Sequence, residues 1–302
     1  MKPDFTFVGF SSAQNIKFLL FSIFLIIYIV TVTVNSLIIL IVKMTPTLHT
    51  PMYMFIASLS LLEICYVTVT IPNMLSIFIV KCKRISFAGC MTQLYVFFTL
   101  GSSECVLLTV MACDRYLAIC NPLRYSSLMT TRACLYLVTI SFLCGLCAAV
   151  FTMAFMAVIP YCGSNQINHF FCDYPAILPL ACADSATKEK LFYTVPWYLV
   201  MTCFFVIVAS YISIVSTIKH SKEGYQRKAF STCVSHLTVV IIFYGSVIFI
   251  YFRPKGTYDL NRDKVVSMVY SMVTPLINPM IYSLRNKEFQ KAFVNLLLRK
   301  IF

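Results

Sequence analysis

Long apolar runs constrain this chain more than any other feature. Leu19 to Val42, Cys134 to Ile159, Leu191 to Ile218 and Val265 to Leu284 hold no charged residue, while Met52 to Val80 holds only Glu63 and Cys90 to Ala112 only Glu104. Ala229 to Phe252 carries only the neutral-capable His236. A helix of about 20 such residues crosses the roughly 30 Å hydrocarbon core of a bilayer and satisfies its own backbone hydrogen bonds. The runs therefore predict an all-α membrane protein, a seven-transmembrane helix bundle with spans at about 19–42, 52–80, 90–120, 134–159, 191–218, 229–252 and 265–284. Composition agrees: 12% of the residues are charged, against roughly 25% in a soluble domain.

The loops are short except for Pro160 to Lys190, and there is no internal repeat or low-complexity linker, so residues 1–302 are expected to form one bundle with an outer tail at 1–18. That tail lacks the apolar core and cleavage site of a signal peptide, and the first span is expected to act as an uncleaved targeting signal. The net charge of +13 sits in short clusters between the runs. These are headgroup and loop charges and give no reason to invoke nucleic acid. Seven spans put the termini on opposite sides. Lys and Arg number 11 on the amino-terminal side and 13 on the other, too even a split for the positive-inside rule. Cys90, Cys162, Cys172 and Cys182 all fall on the amino-terminal side, which suits an oxidising exterior. The expected placement is a plasma membrane, with the amino terminus outside and the carboxyl terminus in the cytoplasm.

The third span ends in Met111-Ala112-Cys113-Asp114-Arg115-Tyr116-Leu117-Ala118-Ile119-Cys120. Arg keeps its charge and offers a planar fork of donors, so Asp114 can hold Arg115 in one conformation and release it to another partner in a second. The plainer reading is a charge flag that ends a membrane helix at the headgroups.

Other motifs arrive in order around this one. Leu48-His49-Thr50-Pro51-Met52-Tyr53-Met54-Phe55, followed by Leu59-Ser60, opens the second span, where Thr50 can cap the helix and Pro51 fits its first turn. Asn121-Pro122-Leu123-Arg124-Tyr125 continues the third, Ser210-Tyr211 lies in the fifth, and Lys228 to Leu237 enters the sixth. Pro275-Leu276-Ile277-Asn278-Pro279-Met280-Ile281-Tyr282-Ser283-Leu284-Arg285-Asn286 closes the seventh. Together these resemble the signatures of vertebrate odorant receptors within the rhodopsin-like G-protein-coupled receptors, over nearly the whole chain. Asn168-His169-Phe170-Phe171-Cys172-Asp173 further resembles the tetrapod-type branch associated with airborne odorants. The chain departs from the family pattern at Val34 before Asn35, at Cys113 and at Glu63, where the family usually has Gly, Tyr or Phe, and Asp. It also has no Asn-x-Ser/Thr glycosylation site, a departure that points to dependence on an export chaperone.

The resemblance implies a receptor rather than an enzyme, with a small odorant as ligand and the stimulatory olfactory G protein and adenylyl cyclase downstream. It assigns the switch to Asp114, Arg115, Tyr116, Tyr211, Asn278, Pro279 and Tyr282, with Pro275 and Pro279 loosening the seventh helix. It also implies disulfides Cys90–Cys172 and Cys162–Cys182, whereas four cysteines by themselves allow three connectivities. His169, Cys172 and Asp173 could instead be read as metal ligands.

Placing odorants in the outer halves of the third, fifth, sixth and seventh helices, as the resemblance does, selects Phe97, Phe98, Gly101 and Ser102 by helical spacing from Arg115. Val195, Leu199, Tyr244, Val247, Tyr251 and Ser271 complete a mainly apolar wall with a few hydroxyls, suited to small apolar ligands. Taken singly, each of these aromatics reads more readily as packing or as a lipid-facing side chain; as a set they mark the pocket. No acid in that part of the third helix could hold an amine.

Glu63 lies 11 residues beyond Met52, and Glu104 lies 11 residues before Arg115, so at 1.5 Å per residue both sit roughly 16 Å from the inner face. Asn35 and Asn278 fall near the same level. Two ionised carboxylates there must share a proton, bind a cation or meet water. The expectation is a sodium site at Glu63, Glu104 and Asn278 or a proton-sharing pair; the alternative is two glutamates bonded separately to backbone or water. After Arg285, Phe289, Phe293 and Leu296 share one face of a segment that carries Lys287, Lys291, Arg299 and Lys300. Residues 286–302 therefore predict a short amphipathic C-terminal helix on the inner-leaflet lipids. A receptor for a non-odorant metabolite fits the same pocket. A small transporter should show inverted repeats or paired broken helices, and neither is visible.

Overall fold

The computed structural model describes residues 4–8, 14–80, 83–162, 164–182, 195–220, 223–251, 260–284 and 287–301, with backbone alone at 14–16, 195–196, 223–232, 250–251, 260–265, 269–270, 282–284, 287 and 297–301. Eight long helices follow the apolar pattern: α1 Gln14–Met44, α2 Pro51–Ile79, α3 Phe87–Cys120, α4 Thr131–Val158, α5 Val195–Lys219, α6 Glu223–Tyr251, α7 Leu260–Leu284 and α8 Lys287–Ile301. The first five are long and apolar enough to cross a membrane by themselves. In α6 and α7, described by backbone alone toward their ends, the apolar stretches Cys233–Phe249 and Val266–Ile281 lie within the runs 229–252 and 265–284. Both helices begin in polar turns, at Glu223 to Lys228 and Asn261 to Lys264, which extend them beyond the apolar core. The fold is the seven-transmembrane bundle that the apolar runs predict, with α8 as its amphipathic appendage.

Burial is sorted as a membrane demands. Large apolar side chains such as Leu135, Ile140, Leu143, Phe151 and Phe155 on α4 are exposed, while Asn35, Glu63, Ser103, Glu104, Asp114 and Asn278 are buried. In lipid, apolar groups gain nothing by leaving the surface, and polar groups must find partners inside the bundle. α3 is the axis: its 34 residues span about 50 Å at 1.5 Å per residue, and α2, α4, α5 and α6 all pack against it. The contact with α4 depends on Gly145. A Cβ there would overlap Ser103 Oγ and sit 2.5 Å from the Thr99 carbonyl oxygen.

Local signals end and join the helices. Ser86 Oγ accepts from Gly89 N at 3.1 Å to cap α3, and Thr130 Oγ1 accepts from Ala133 N at 3.3 Å to cap α4. Thr50 occupies the corresponding position before Pro51 but its hydroxyl makes no capping bond, so the entry to α2 is set by the fixed φ of proline rather than by the side chain. A two-turn helix, Pro122–Leu128, follows α3.

The end of the bundle that carries the amino terminus is more ordered than a tail and loops. Phe5–Phe7 forms strand β1, which pairs antiparallel with β2 (Arg84–Ile85) and parallel with β3 (Gln166–Ile167). The tail expected at 1–18 thus contains a strand, and α1 starts at Gln14. Phe5 and Phe7 alternate inward around Thr6 and are buried, the period-two pattern of a half-buried strand. At the other end, α8 docks through Phe289 and Ala292, both buried. Tyr53 of α2 donates to Glu288 Oε2 at 3.4 Å.

Candidate functional site

Three polar or aromatic constellations lie along α3, one at each end and one midway. At the outer end, Cys90 is disulfide-bonded to Cys172, and Cys162 to Cys182, with Cα separations of 5.5 and 5.6 Å. The first bond removes Cys172 from any metal-ligand set, and no cluster of three or more His, Cys, Asp or Glu side chains exists among the described residues. The loop between α4 and α5 is drawn down onto the bundle. Phe171 meets Phe97 at 5.1 Å between ring centroids, and Phe170 stacks on Phe78 at 6.0 Å. Gln93 ties this lid to two helices: its Oε1 accepts from Cys172 N at 3.0 Å and Asn73 Nδ2 at 3.1 Å, and its Nε2 donates to the Val69 carbonyl at 2.8 Å. It also lines an open groove of about 530 Å³ between α2 and α3. Nothing in the spacing of apolar residues marks Gln93; only its lone amide inside a span could have done so.

Beneath the lid the expected pocket residues divide. Phe97 turns toward α2, 4.9 Å from Tyr66, and Phe98 lies edge-on to Tyr174 of the lid at 6.1 Å. Gly101 borders open space, since a Cβ built there meets nothing within 4 Å. Ser102 and Val247 are buried, and Leu199 packs against the core. Tyr244 is buried, 5.4 Å from Phe204 of α5, with its hydroxyl 3.0 Å from Cys105 Sγ. Ser271 is buried too and its hydroxyl donates to the Met268 carbonyl at 3.1 Å, so that hydrogen atom is already engaged. The side chains of Val195 and Tyr251 lie outside the described residues. Phe98, Gly101 and Ser102 lie within a turn or two of Cys105, and Cys105 meets Tyr244. These side chains therefore gather on the face of α3 toward α5 and α6.

Midway, Asn278 Nδ2 donates to Glu63 Oε1 at 2.5 Å and lies 3.3 Å from Glu104 Oε1. The two acids, 41 positions apart in sequence, share one amide. Asn35 joins the layer differently. It donates to the Thr31 carbonyl at 2.9 Å and the Pro275 carbonyl at 3.2 Å. The second bond follows from the sequence of α7: an α-helical carbonyl bonds the N–H four residues on, and for Pro275 that residue is Pro279, which has none. Asn35 supplies the missing donor. Glu63 Oε2, Asn278 Oδ1 and Asn35 Oδ1 are buried acceptors without a partner among the described residues.

At the inner end, Asp114 Oδ2 accepts from Arg115 Nε at 2.8 Å and also from Nη2. Its other oxygen accepts from the Tyr125 hydroxyl at 2.8 Å. Burial first, then the Asp114 carboxylate, raises the Tyr125 phenol above its ordinary range and keeps it a donor. Asp114 is thus held by two donors, one of them outside the expected switch set although it lies in the motif after the third span. Tyr211 does not touch Arg115 here. Its hydroxyl meets His236 Nδ1 at 2.6 Å, with the rings stacked at 5.8 Å. His236 therefore joins α5 and α6, a role its place in an apolar run does not announce. Tyr116 is half-buried against the core, and Pro279 is buried in α7. The Tyr282 side chain lies outside the described residues.

A bundle whose lid, polar midlayer and inner ion pair are strung along one central helix has the build of a seven-helix receptor. The olfactory receptor family model matches residues 24–300. The chain is 43% identical to Olfactory receptor 6P1 of Homo sapiens over 96% of its length and 92% of that protein's. It is 46% identical to Olfactory receptor 6B9 of Mus musculus over 96% and 92%, and 47% identical to Olfactory receptor 6Y1 of Homo sapiens over 95% and 89%. The chain belongs to the olfactory receptor family, and so to the odorant-sensing G-protein-coupled receptors, multi-pass membrane proteins that are not enzymes.

Proposed function

We propose that this receptor binds small, mainly apolar volatile ligands beneath the lid and activates the stimulatory olfactory G protein, raising cyclic AMP. The observation that carries the reading is the Asp114–Arg115 pair at the inner end of α3, the helix that also borders the open space at Gly101. A ligand preferring a different packing around Tyr244 shifts the population toward a state in which the inner ends of α3 and α6 part. Arg115 then leaves Asp114 for Tyr211 and forms part of the G-protein site, while the prolines let Asn278 and Tyr282 rearrange. The disulfide-bonded lid side faces outward and α8 lies on the inner leaflet, with an export chaperone assisting delivery to the plasma membrane.

The test is a cyclic-AMP assay against a broad odorant panel, in cells supplied with the olfactory G protein and an export chaperone. Surface staining and Arg115→Ala serve as controls. A response that vanishes in a normally displayed Arg115→Ala receptor supports the reading; one that survives the substitution overturns the switch.

The midlayer is proposed to hold a sodium ion or a shared proton. Support comes from the three unpartnered buried oxygens of Glu63, Asn278 and Asn35, since hard cations take oxygen ligands. Glu63, Glu104 and Asn278 would hold the ion, which would offset the repulsion between the two acids. Sodium and pH dependence of activation should weaken in Glu63→Gln and Glu104→Gln; dependence identical to wild type in both would remove the coupled site.

A further inference from the structure

The groove between α2 and α3 is built differently from the ligand chamber. Thr68, Pro72 and Thr92 on its walls are exposed, and its volume of about 530 Å³ falls within the roughly 300–1,000 Å³ of small-molecule sites. Pro72 lies inside α2, where its ring removes one backbone donor and crowds the Thr68 carbonyl. Gly89 of α3 adds no side chain to the opposite wall. From Gly89 to Val96 the groove descends about 10 Å at 1.5 Å per residue, from the end of the spans into their apolar depth. Lys83 stands at its mouth. The backbone there is fixed by β1, since Phe7 N donates to the Lys83 carbonyl at 3.0 Å. A lysine serving only the headgroups would extend toward water, but this ammonium folds over α2 and donates to Ser76 Oγ at 2.5 Å. Ser76 takes one of its three donors. Among the described residues no carboxylate pairs with it or lines the groove.

We propose that this groove binds a long-chain fatty acid from the surrounding leaflet, and that the bound acid keeps the lid seated. The carboxylate meets the Lys83 ammonium at the mouth, and the chain descends between Val69, Pro72, Ile85 and Val96. One cation and this volume suit a single chain with one small charged head. The orientation proposed above, on which this inference rests only to name the leaflet, puts the groove on the outer side. Anionic phospholipids concentrate on the cytoplasmic side, so a free fatty acid is the anion with a chain that the groove would meet. Its chain lies against Gln93, Asn73 and Val69, which line the groove and carry the bonds that tie the lid down at Cys172. An occupant packed on these groups favours the arrangement in which those bonds are made. By linkage, the acid and a ligand in the chamber then tighten one another by the same factor.

The experiment places the full-length receptor in phosphatidylcholine nanodiscs with palmitate carrying a photoreactive diazirine in its chain, followed by peptide mass mapping. The expected label falls on residues 68–73 and 89–96 and is competed by palmitate but not by hexadecanol, which has the chain without the charge. At equal recovery of folded receptor, labelling should fall several-fold in Lys83→Gln and survive in Lys83→Arg. It should be lost in Thr92→Trp, which fills the groove from an exposed position and leaves Lys83 in place. Label spread over the lipid-facing sides of α1 and α4, or equal in wild type, Lys83→Gln and Thr92→Trp, means ordinary bilayer contact and overturns the site. Competition by phosphatidylserine as strong as that by palmitate overturns the choice of a fatty acid. In cells, stripping fatty acids with defatted albumin should raise the ligand concentration for half-maximal cyclic AMP several-fold in wild type and leave Lys83→Gln unchanged; no shift in wild type overturns the coupling to the lid. Silence toward every ligand, with Lys83-dependent labelling intact, would count against the signalling reading and leave the groove site standing.

Discussion

On the proposed mechanism Asp114 is the residue on which the resting inner end depends, because each of its oxygens is used. One is forked by Arg115 and the other is held by the Tyr125 hydroxyl. Removing that hydroxyl leaves the ion pair intact but weakens the hold on the carboxylate. A hydrogen bond to a charged group contributes about 1.5–3 kcal/mol, and each 1.4 kcal/mol is about tenfold in population. Tyr125→Phe is therefore expected to raise ligand-free cyclic AMP by about tenfold or more at equal surface display, by the same conversion. An unchanged basal signal would mean that Tyr125 only packs. A second single-residue case concerns stability. Asn35→Ala strips the Pro275 carbonyl of the donor that replaces the absent N–H of Pro279, and a buried acceptor left unsatisfied costs about 1–3 kcal/mol. The purified variant should melt several degrees lower, while Asn35→Asp, which also lacks the amide donor, should not rescue it.

At the scale of helices, two glycines on facing or neighbouring turns have opposite meanings. Gly145 is where α4 reaches the backbone of α3, and even a methyl group would press on Thr99 and Ser103. Overpacking of this kind costs about 1–3 kcal/mol or more, so Gly145→Leu is expected to abolish surface display and Gly145→Ala to reduce it. Gly101 meets nothing, so Gly101→Val should leave display and melting temperature unchanged while narrowing the range of ligands that fire the receptor. Equal loss of display in both would show that the space beside Gly101 is not open in the membrane.

The same contrast explains what the sequence makes legible. Helices and the proline-weakened α7 are written in local patterns of charge, spacing and residue type, whereas the cap expected at Thr50 is not made. Gly145 and Gly101 look alike in sequence because each depends on what another helix places opposite it. The same holds for the pairing of Tyr211 with His236 and of Cys105 with Tyr244, whereas the common depth of Glu63, Glu104 and Asn278 is readable from helical rise. Strand β1 escaped for a different reason. Three alternating residues are too short a pattern to outweigh a polar tail, and the strand exists only because β2 and β3 flank it.

Across the whole molecule, the lid and the inner end are joined by α3 and by the contacts of α5 and α6 upon it, and on the proposed mechanism Tyr211 decides how the far end responds. It is bonded to His236 at 2.6 Å, which holds the inner halves of α5 and α6 together. On the proposed mechanism the same hydroxyl must leave His236 and receive Arg115 when α6 moves out. One hydroxyl thus stabilises both states, with different partners. Two substitutions that abolish the same resting bond should consequently have opposite effects. His236→Phe removes the latch and leaves Tyr211 free for Arg115, so ligand-free cyclic AMP should rise and less ligand should be needed. Tyr211→Phe removes the latch and the active-state partner together, so the two losses offset at rest and the maximal ligand response should fall. A ligand shifts an equilibrium only by its differential affinity for the two states, which means that the decrease in Tyr211→Phe should persist at saturating ligand. The measurement is a full concentration-response curve for both variants at matched surface display. If both substitutions raise basal signalling and preserve the maximum, Tyr211 acts only as a latch, and Arg115 must find its active-state partner elsewhere in the bundle.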